Sequence, residues 1–183
     1  MKEIRIHARA GQGAITTAAL IGQALFLKGK YPYAFPSFGA ARMGAPMNAF
    51  VRVDDSPVRL RSQVYNPDYI LIVDATLLRG FDCFAGFKDD GIAIINERED
   101  VAAPSPKPGQ RVYSLPANKI ALETIGRPLG NTVLIGAFAA ATGEFDLEDL
   151  NAAINKRFSG KIAQTNIEAA KRGFEYIKKV TVH

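Results

Sequence analysis

Tyr69-Ile70-Leu71-Ile72-Val73-Asp74 is a run of five apolar residues that stops abruptly at an acid. A continuous apolar run of this length suits a strand covered on both faces, as in a mostly parallel sheet. Residues 91–95, closed by Asn96, form a second such run, and residues 111–115 a third, shorter one. Upstream, residues 2–7 alternate, with Ile4 and Ile6 on one face. The turn Gly11-Gln12-Gly13 follows at once. A helix is expected from about Gly13 to Lys28, with Ile15, Ala18, Ala19, Gly22, Leu25 and Phe26 as its buried stripe. Residues 47–53 read as a strand, and Asp54-Asp55 turns the chain before residues 58–60. Residues 100–110 read as an exposed loop.

The last third is helical in pattern. Residues 117–125 give a short helix ended by Gly126-Arg127-Pro128. Asn131 is expected to cap the next, which is apolar nearly all round and therefore buried. Asp146 caps a further helix, with Leu147, Leu150, Ile154 and Phe158 inward. A final helix from about Lys161 turns Ala163, Ile167, Ala170, Phe174 and Ile177 to the core. Strands interleaved with helices imply an α/β fold: one three-layer domain over residues 1–183, with a mostly parallel or mixed sheet and helices on both faces.

Composition narrows the function. A chain of 183 residues fits one domain, and roughly 70% of its unfolded surface can be buried at this size. The net charge of +5 favours acidic partners, such as a phosphorylated ligand or an acidic subunit. The basic residues carry no nucleic-acid motif. One cysteine, Cys83, excludes an internal disulfide framework and a cysteine-ligated cluster. Two histidines far apart, His7 and His183, give no metal-ligand set, so no metal site and no catalytic residue is assigned. The amino terminus lacks an apolar signal region, and no 18-residue apolar run exists, which predicts a soluble cytoplasmic protein without a membrane segment.

Two stretches offer binding chemistry. The turn at the start of the first helix is an anion-site candidate, with Gly11, Gln12, Gly13 and Thr16 at a helix N-terminus and Arg9 adding charge. A tight turn with no ligand explains the same residues. No complete GxGxxG is present, no acid lies about 20 residues on, and no Gly-Lys-Ser/Thr follows, so neither dinucleotide nor Walker binding is indicated. The second stretch is Phe35-Pro36-Ser37-Phe38-Gly39-Ala40-Ala41-Arg42-Met43-Gly44-Ala45-Pro46, followed after a strand by Arg59-Leu60-Arg61-Ser62-Gln63. Arg42 sets a planar cation beside Gly44, where backbone can approach a ligand closely. Aromatic residues, Met and Arg together also have the composition of an interface core. A buried connection with one salt-bridged arginine fits equally well. Asp74 and Asn96 stand at the carboxyl ends of strands, the ligand-binding edge of open α/β sheets; for Asp74, capping a short helix is the simpler role. Cys83, near no obvious base, reads as a buried structural thiol.

The segments FPSFGAARMGAPMNAFVRV and VRLRSQVYNPDYILIVD, with Arg9-Ala10-Gly11-Gln12-Gly13, resemble the gamma subunit of pyruvate and related 2-oxoacid:ferredoxin oxidoreductases. The likeness covers nearly the whole chain and includes residues 131–143 and the Lys161, Asn166, Gly173 spacing. The family pattern has glycines where this chain has Ala8 and Ala10, which leaves less room for backbone to approach a ligand there. The resemblance implies a complex that decarboxylates a 2-oxoacid on thiamine diphosphate, passes electrons through iron–sulfur clusters to ferredoxin, and transfers the acyl group to coenzyme A. Alpha, beta and delta-type subunits would be its partners. This chain would carry neither thiamine diphosphate nor clusters, and would contact coenzyme A through Arg9, Gly11, Gln12, Gly13, Thr16, Arg42 and Gly44. Two other readings remain: a stand-alone nucleotide- or anion-binding module, and a scaffold subunit without ligand contact.

Overall fold

In a computed structural model that describes residues 1–37 and 42–181, six strands form one mixed sheet in the order β2-β3-β1-β4-β5-β6. They are β1 (Lys2–Arg9), β2 (Tyr31–Pro36), β3 (Pro46–Asp54), β4 (Tyr69–Ile72), β5 (Ile92–Asn96) and β6 (Arg111–Leu115). β1, β4, β5 and β6 run parallel, while β3 is antiparallel to both β1 and β2. The helices are α1 (Ala14–Leu27), α2 (Ala117–Thr124), α3 (Asn131–Thr142), α4 (Leu147–Arg157) and α5 (Gly160–Thr181). No described helix is long and apolar enough to cross a membrane. Residues 38–41 of the Phe35–Pro46 stretch, and His183, lie outside the described residues.

The two sheet faces are covered unequally. Ile4, Ile6, Val51, Leu71 and Ile94 face the α-helices and share one core with them. α3 is buried nearly all round, as its sequence predicts, and packs most extensively on α5. That crossing is close because two glycines meet backbone: a Cβ on Gly136 would stand 1.9 Å from the Ala170 carbonyl oxygen, and one on Gly173 2.0 Å from that of Val133. The expectation of helices on both faces is met on the opposite face only by a 3-10 helix, and no α-helix lies there among the described residues, because loop residues already cover the apolar strands. Ile70, Ile72, Ala93 and Ile95 are covered there by the short 3-10 helix Ala75–Arg79 and by Cys83 and Phe87.

Three sequence expectations shift. Of the expected α1 stripe Ala18, Gly22 and Leu25 are buried, but Ile15, Ala19 and Phe26 are exposed, and Ala14, Thr17, Leu20, Ile21 and Ala24 complete the buried face. A helix apolar on most sides carries little periodic signal, so its face is chosen by packing. Asn131 opens α3 without capping it: Gly130 holds the cap position, and the Asn131 amide reaches across to the glycine turn. β2 was not expected, and it holds Pro32 and Pro36. Its register explains them. Ser37 N–H donates to the Asn48 carbonyl at 2.8 Å, so Phe35, Tyr33 and Tyr31 make the ladder bonds to β3. Pro32 and Pro36 then face the free edge, where no ladder donor is needed and where they discourage strand addition.

Candidate functional site

The parallel strands end together, and the site is built at that edge. After Arg9 the chain turns through Gly11 and Gly13, whose φ angles of 92° and 81° strain any residue with a Cβ. Gln12 folds back across the turn. Its side-chain oxygen accepts from the Arg9 N–H at 2.7 Å, and its amide donates to Asp74 Oδ2 at 2.7 Å. Asp74 caps the 3-10 helix, as its sequence position predicts, accepting from the Thr76 N–H at 2.9 Å and its hydroxyl at 2.6 Å. Burial alone would raise the Asp74 carboxyl. The bonds from Thr76 and Gln12 and the Arg9 charge outweigh burial and hold it below the ordinary value.

Arg9 is committed to the same network. It donates to Thr76 Oγ1 at 3.0 and 3.2 Å and to the Gly44 carbonyl at 3.1 Å, and pairs with Asp74 at 3.4 Å. The 42–46 loop is stitched on further by Gly44 N–H to Ala10 O at 3.0 Å and Ala10 N–H to Ala45 O at 2.8 Å. A Cβ on Gly11 would stand 2.3 Å from the Met43 sulfur, so this loop lies directly over the glycine turn. Three loops are thus locked into one platform by Arg9, Gln12 and Asp74.

Behind the turn opens a cleft of about 580 Å³. Gly11, Gln12, Gly13 and Thr16 form one wall; Arg127, Arg157 and Lys161 bring three cations; Ile125, Leu129, Phe158 and Ile162 give apolar surface; and among the described residues no carboxylate lines it. The N-terminal turns of α1, α3 and α5 all reach this cleft through Thr16, Asn131 with Thr132, and Lys161 with Ile162. The first intrahelical bonds of α1 and α3 run from the Thr17 and Leu134 N–H groups, so donors before them lack helix partners. Asn131 braces the turn from behind, donating to Gln12 O at 2.8 Å and Thr17 Oγ1 at 2.9 Å. Arg157 donates to Thr16 Oγ1 at 3.2 Å. Cations, helix N-termini and an apolar flank suit a phosphate-bearing ligand with a hydrophobic part.

Of the residues expected from sequence, Gly11, Gln12, Gly13 and Thr16 line the cleft. Arg9 and Gly44 belong to the supporting platform. Arg42 is exposed on the covering loop and does not line the cleft. Arg127, Arg157 and Lys161 were not anticipated. Arg157 and Lys161 flank the α4–α5 junction and Arg127 follows α2, and only the packing of these helices brings the three to the glycine turn. Cys83 is buried, and burial pushes its thiol up to about 11, which keeps it neutral and unreactive.

A strand–glycine turn–helix unit opening on a cationic cleft at the carboxyl edge of a mixed sheet defines the class: a single-domain α/β protein with its cleft at the strand ends. Residues 3–176 match the pyruvate ferredoxin/flavodoxin oxidoreductase family, and the chain belongs to it. It is similar to the pyruvate synthase subunit PorC of Methanothermobacter thermautotrophicus, 48% identical over 183 residues, covering 100% of this chain and 99% of that one. It is likewise similar to the pyruvate/ketoisovalerate oxidoreductases common subunit gamma of Pyrococcus abyssi, 43% identical and covering 96% of each. Its fold matches the crystal structure of the pyruvate oxidoreductase subunit PORC from Thermotoga maritima with a TM-score of 0.83, 36% identity and 95% of both chains covered.

Proposed function

We propose that this chain is the gamma subunit of a pyruvate-type 2-oxoacid:ferredoxin oxidoreductase, and that its cleft holds the phosphate end of coenzyme A. The enzyme oxidatively decarboxylates a 2-oxoacid to acyl-coenzyme A and reduces ferredoxin. Alpha, beta and delta-type subunits in the cytoplasm carry the thiamine diphosphate and the clusters. One cysteine supplies no cluster ligand set, and among the described residues no group of three His, Cys, Asp or Glu is placed to hold a metal.

The observation that carries the ligand reading is the cleft where Arg127, Arg157 and Lys161 meet the N-terminal turns of α1, α3 and α5, with no carboxylate among the described lining residues. Coenzyme A brings a diphosphate and a 3′-phosphate, which match cations and helix starts. Gly11, Gly13 and Thr16 offer close backbone and a hydroxyl. Arg9 and Gln12 serve by fixing the turn, and Arg42 on the covering loop extends the cationic surface toward the rest of the ligand. The chain's work is positioning: it anchors the nucleotide end so that the thiol arm reaches the acyl group on a partner subunit.

The test is Arg157→Ala/Lys161→Ala in the assembled enzyme. The Michaelis constant for coenzyme A is expected to rise on the order of 10- to 100-fold, with thiamine content and ferredoxin reduction by a coenzyme A-independent half-reaction unchanged. Dephospho-coenzyme A should lose less than coenzyme A. Unchanged coenzyme A kinetics in an intact complex would contradict the ligand reading.

A further inference from the structure

The sheet face opposite the helices is covered, over β1 to β3, by chain turned inside out. Arg52 is 1% exposed and donates to the carbonyls of Leu60 at 3.4 Å, Ser62 at 2.5 Å and Gln63 at 3.0 Å, while Glu3 neutralises it at 2.7 Å. Arg5, also buried, donates to Val64 O at 3.3 Å and Tyr65 O at 3.4 Å, and to Cys83 O at 3.1 Å and Ala85 O at 2.6 Å. Five carbonyls of one strap, residues 60–65, therefore point down at two buried guanidiniums. Its side chains point up: Arg59, Leu60, Arg61, Ser62, Gln63 and Tyr65 are all exposed, and only Val64 is buried.

This is an unusual way to cover a sheet. Desolvating two guanidiniums is costly, and apolar side chains turned inward would cover the face without that cost. What the inverted arrangement achieves is a fixed backbone that presents a row of side chains outward. Arginine and tyrosine are residue types that anchor interfaces, and the exposed Leu60 between the two arginines adds apolar surface. Arg61 is ordered in advance: its guanidinium stacks on the Tyr33 ring at 3.9 Å and donates to Val58 O at 3.0 Å. Prior ordering lowers the entropic cost of a later contact.

The charge of the row indicates its partner. Among the described residues neither Arg59 nor Arg61 joins an ion pair, and the nearby carboxylates are committed elsewhere. Glu3 pairs with Arg52, Asp55 with Lys30, and Asp54 with the amino terminus. A second copy would set arginine against arginine. Strand addition beside the strap is discouraged by Pro32 and Pro36 on the outer edge of β2. The contact must then run through side chains. We infer that the 59–65 strap is a preformed docking surface for a carboxylate-bearing face of another subunit of the enzyme, with Arg59 and Arg61 making the ion pairs and Leu60 and Tyr65 the apolar anchors.

The inference rests on the subunit reading above, and one experiment separates the two. The chain is co-expressed with the other subunits as wild type, as Arg59→Glu/Arg61→Glu, and as Lys178→Glu/Lys179→Glu on α5. Assembly is measured by native mass spectrometry over a dilution series, with the melting temperature of each free chain as the folding check. The strap variant should keep its melting temperature and lose association about 100-fold or more, while the α5 variant assembles as wild type does. Equal assembly of the strap variant, or equal weakening by both reversals, would overturn the inference while leaving the subunit reading intact. Self-association of the wild-type chain through the strap, abolished by Leu60→Glu, would also overturn it. A wild-type chain that joins no other subunit would overturn both.

Discussion

His7 provides a test of how the polar face of the sheet is held. It lies on β1, is 7% exposed, and accepts a hydrogen bond from Arg5 Nε at 3.1 Å through its Nε2. Acceptance requires a neutral ring. Burial first, and then the Arg5 charge, lower its pKa from 6.5 to about 4, against smaller opposing contributions from the Cys83 carbonyl, Asn48 and Asp82. A base whose pKa is depressed on folding binds fewer protons folded than unfolded. Its contribution is therefore fully present above pH 6.5, declines as pH falls, and is gone below about pH 4. A fall from 6.5 to about 4 corresponds to about 3 kcal/mol, with a slope near 1.4 kcal/mol per pH unit inside that window. Urea unfolding of wild type and His7→Gln from pH 7.5 to pH 4 reads this directly. Glutamine can still accept from Arg5 but does not titrate, so wild type should lose about 3 kcal/mol more than the variant across the window. Parallel stability curves would refute the reasoning, because His7 would then be as easily protonated folded as unfolded.

Other outcomes follow from the packing and the platform. Gly136→Ala should destabilise by about 2–3 kcal/mol in urea unfolding, because the new methyl forces α3 off the Ala170 carbonyl. Combined with Gly173→Ala the cost should be less than additive, since one helix separation relieves both clashes. Arg52→Met should cost about 3 kcal/mol, leaving Glu3 and three strap carbonyls without their partner, and limited proteolysis should then cut first within residues 57–66. Asp74→Asn should loosen the platform, costing about 1–2 kcal/mol and weakening coenzyme A binding without touching the ligand. The same affinity in that variant would mean that the turn holds its shape unaided.

The sheet was legible where hydrophobic pattern and burial coincide. The runs at β4 and β5 are apolar because both faces are covered, and the alternation of Ile4 and Ile6 correctly marks the helix-facing side of β1. Alternation also implies that Arg5 and His7 face water, and there it misleads: the strap that buries them is polar in sequence because it contributes carbonyls. β2 was hidden by its prolines, which disqualify a central strand but are harmless once pairing turns them to the outer edge. At the site, the glycine turn could be read locally because Gly11, Gln12, Gly13 and Thr16 are consecutive or nearly so. The cations were not legible, since Arg127, Arg157 and Lys161 close on the turn only after α2, α4 and α5 pack. Arg9, which sequence suggests as a ligand contact, lies within reach of Asp74 and Thr76 in the fold and is satisfied there.

As proposed above, this chain works as one subunit of a 2-oxoacid:ferredoxin oxidoreductase and contributes the coenzyme A anchor. Native mass spectrometry of the complex purified anaerobically from its source, with and without coenzyme A, tests this most directly. One assembly containing this chain together with thiamine diphosphate- and cluster-carrying subunits is expected, with a coenzyme A adduct lost when Arg157 and Lys161 are replaced by alanine. A chain recovered alone, or an adduct indifferent to those two residues, would contradict it.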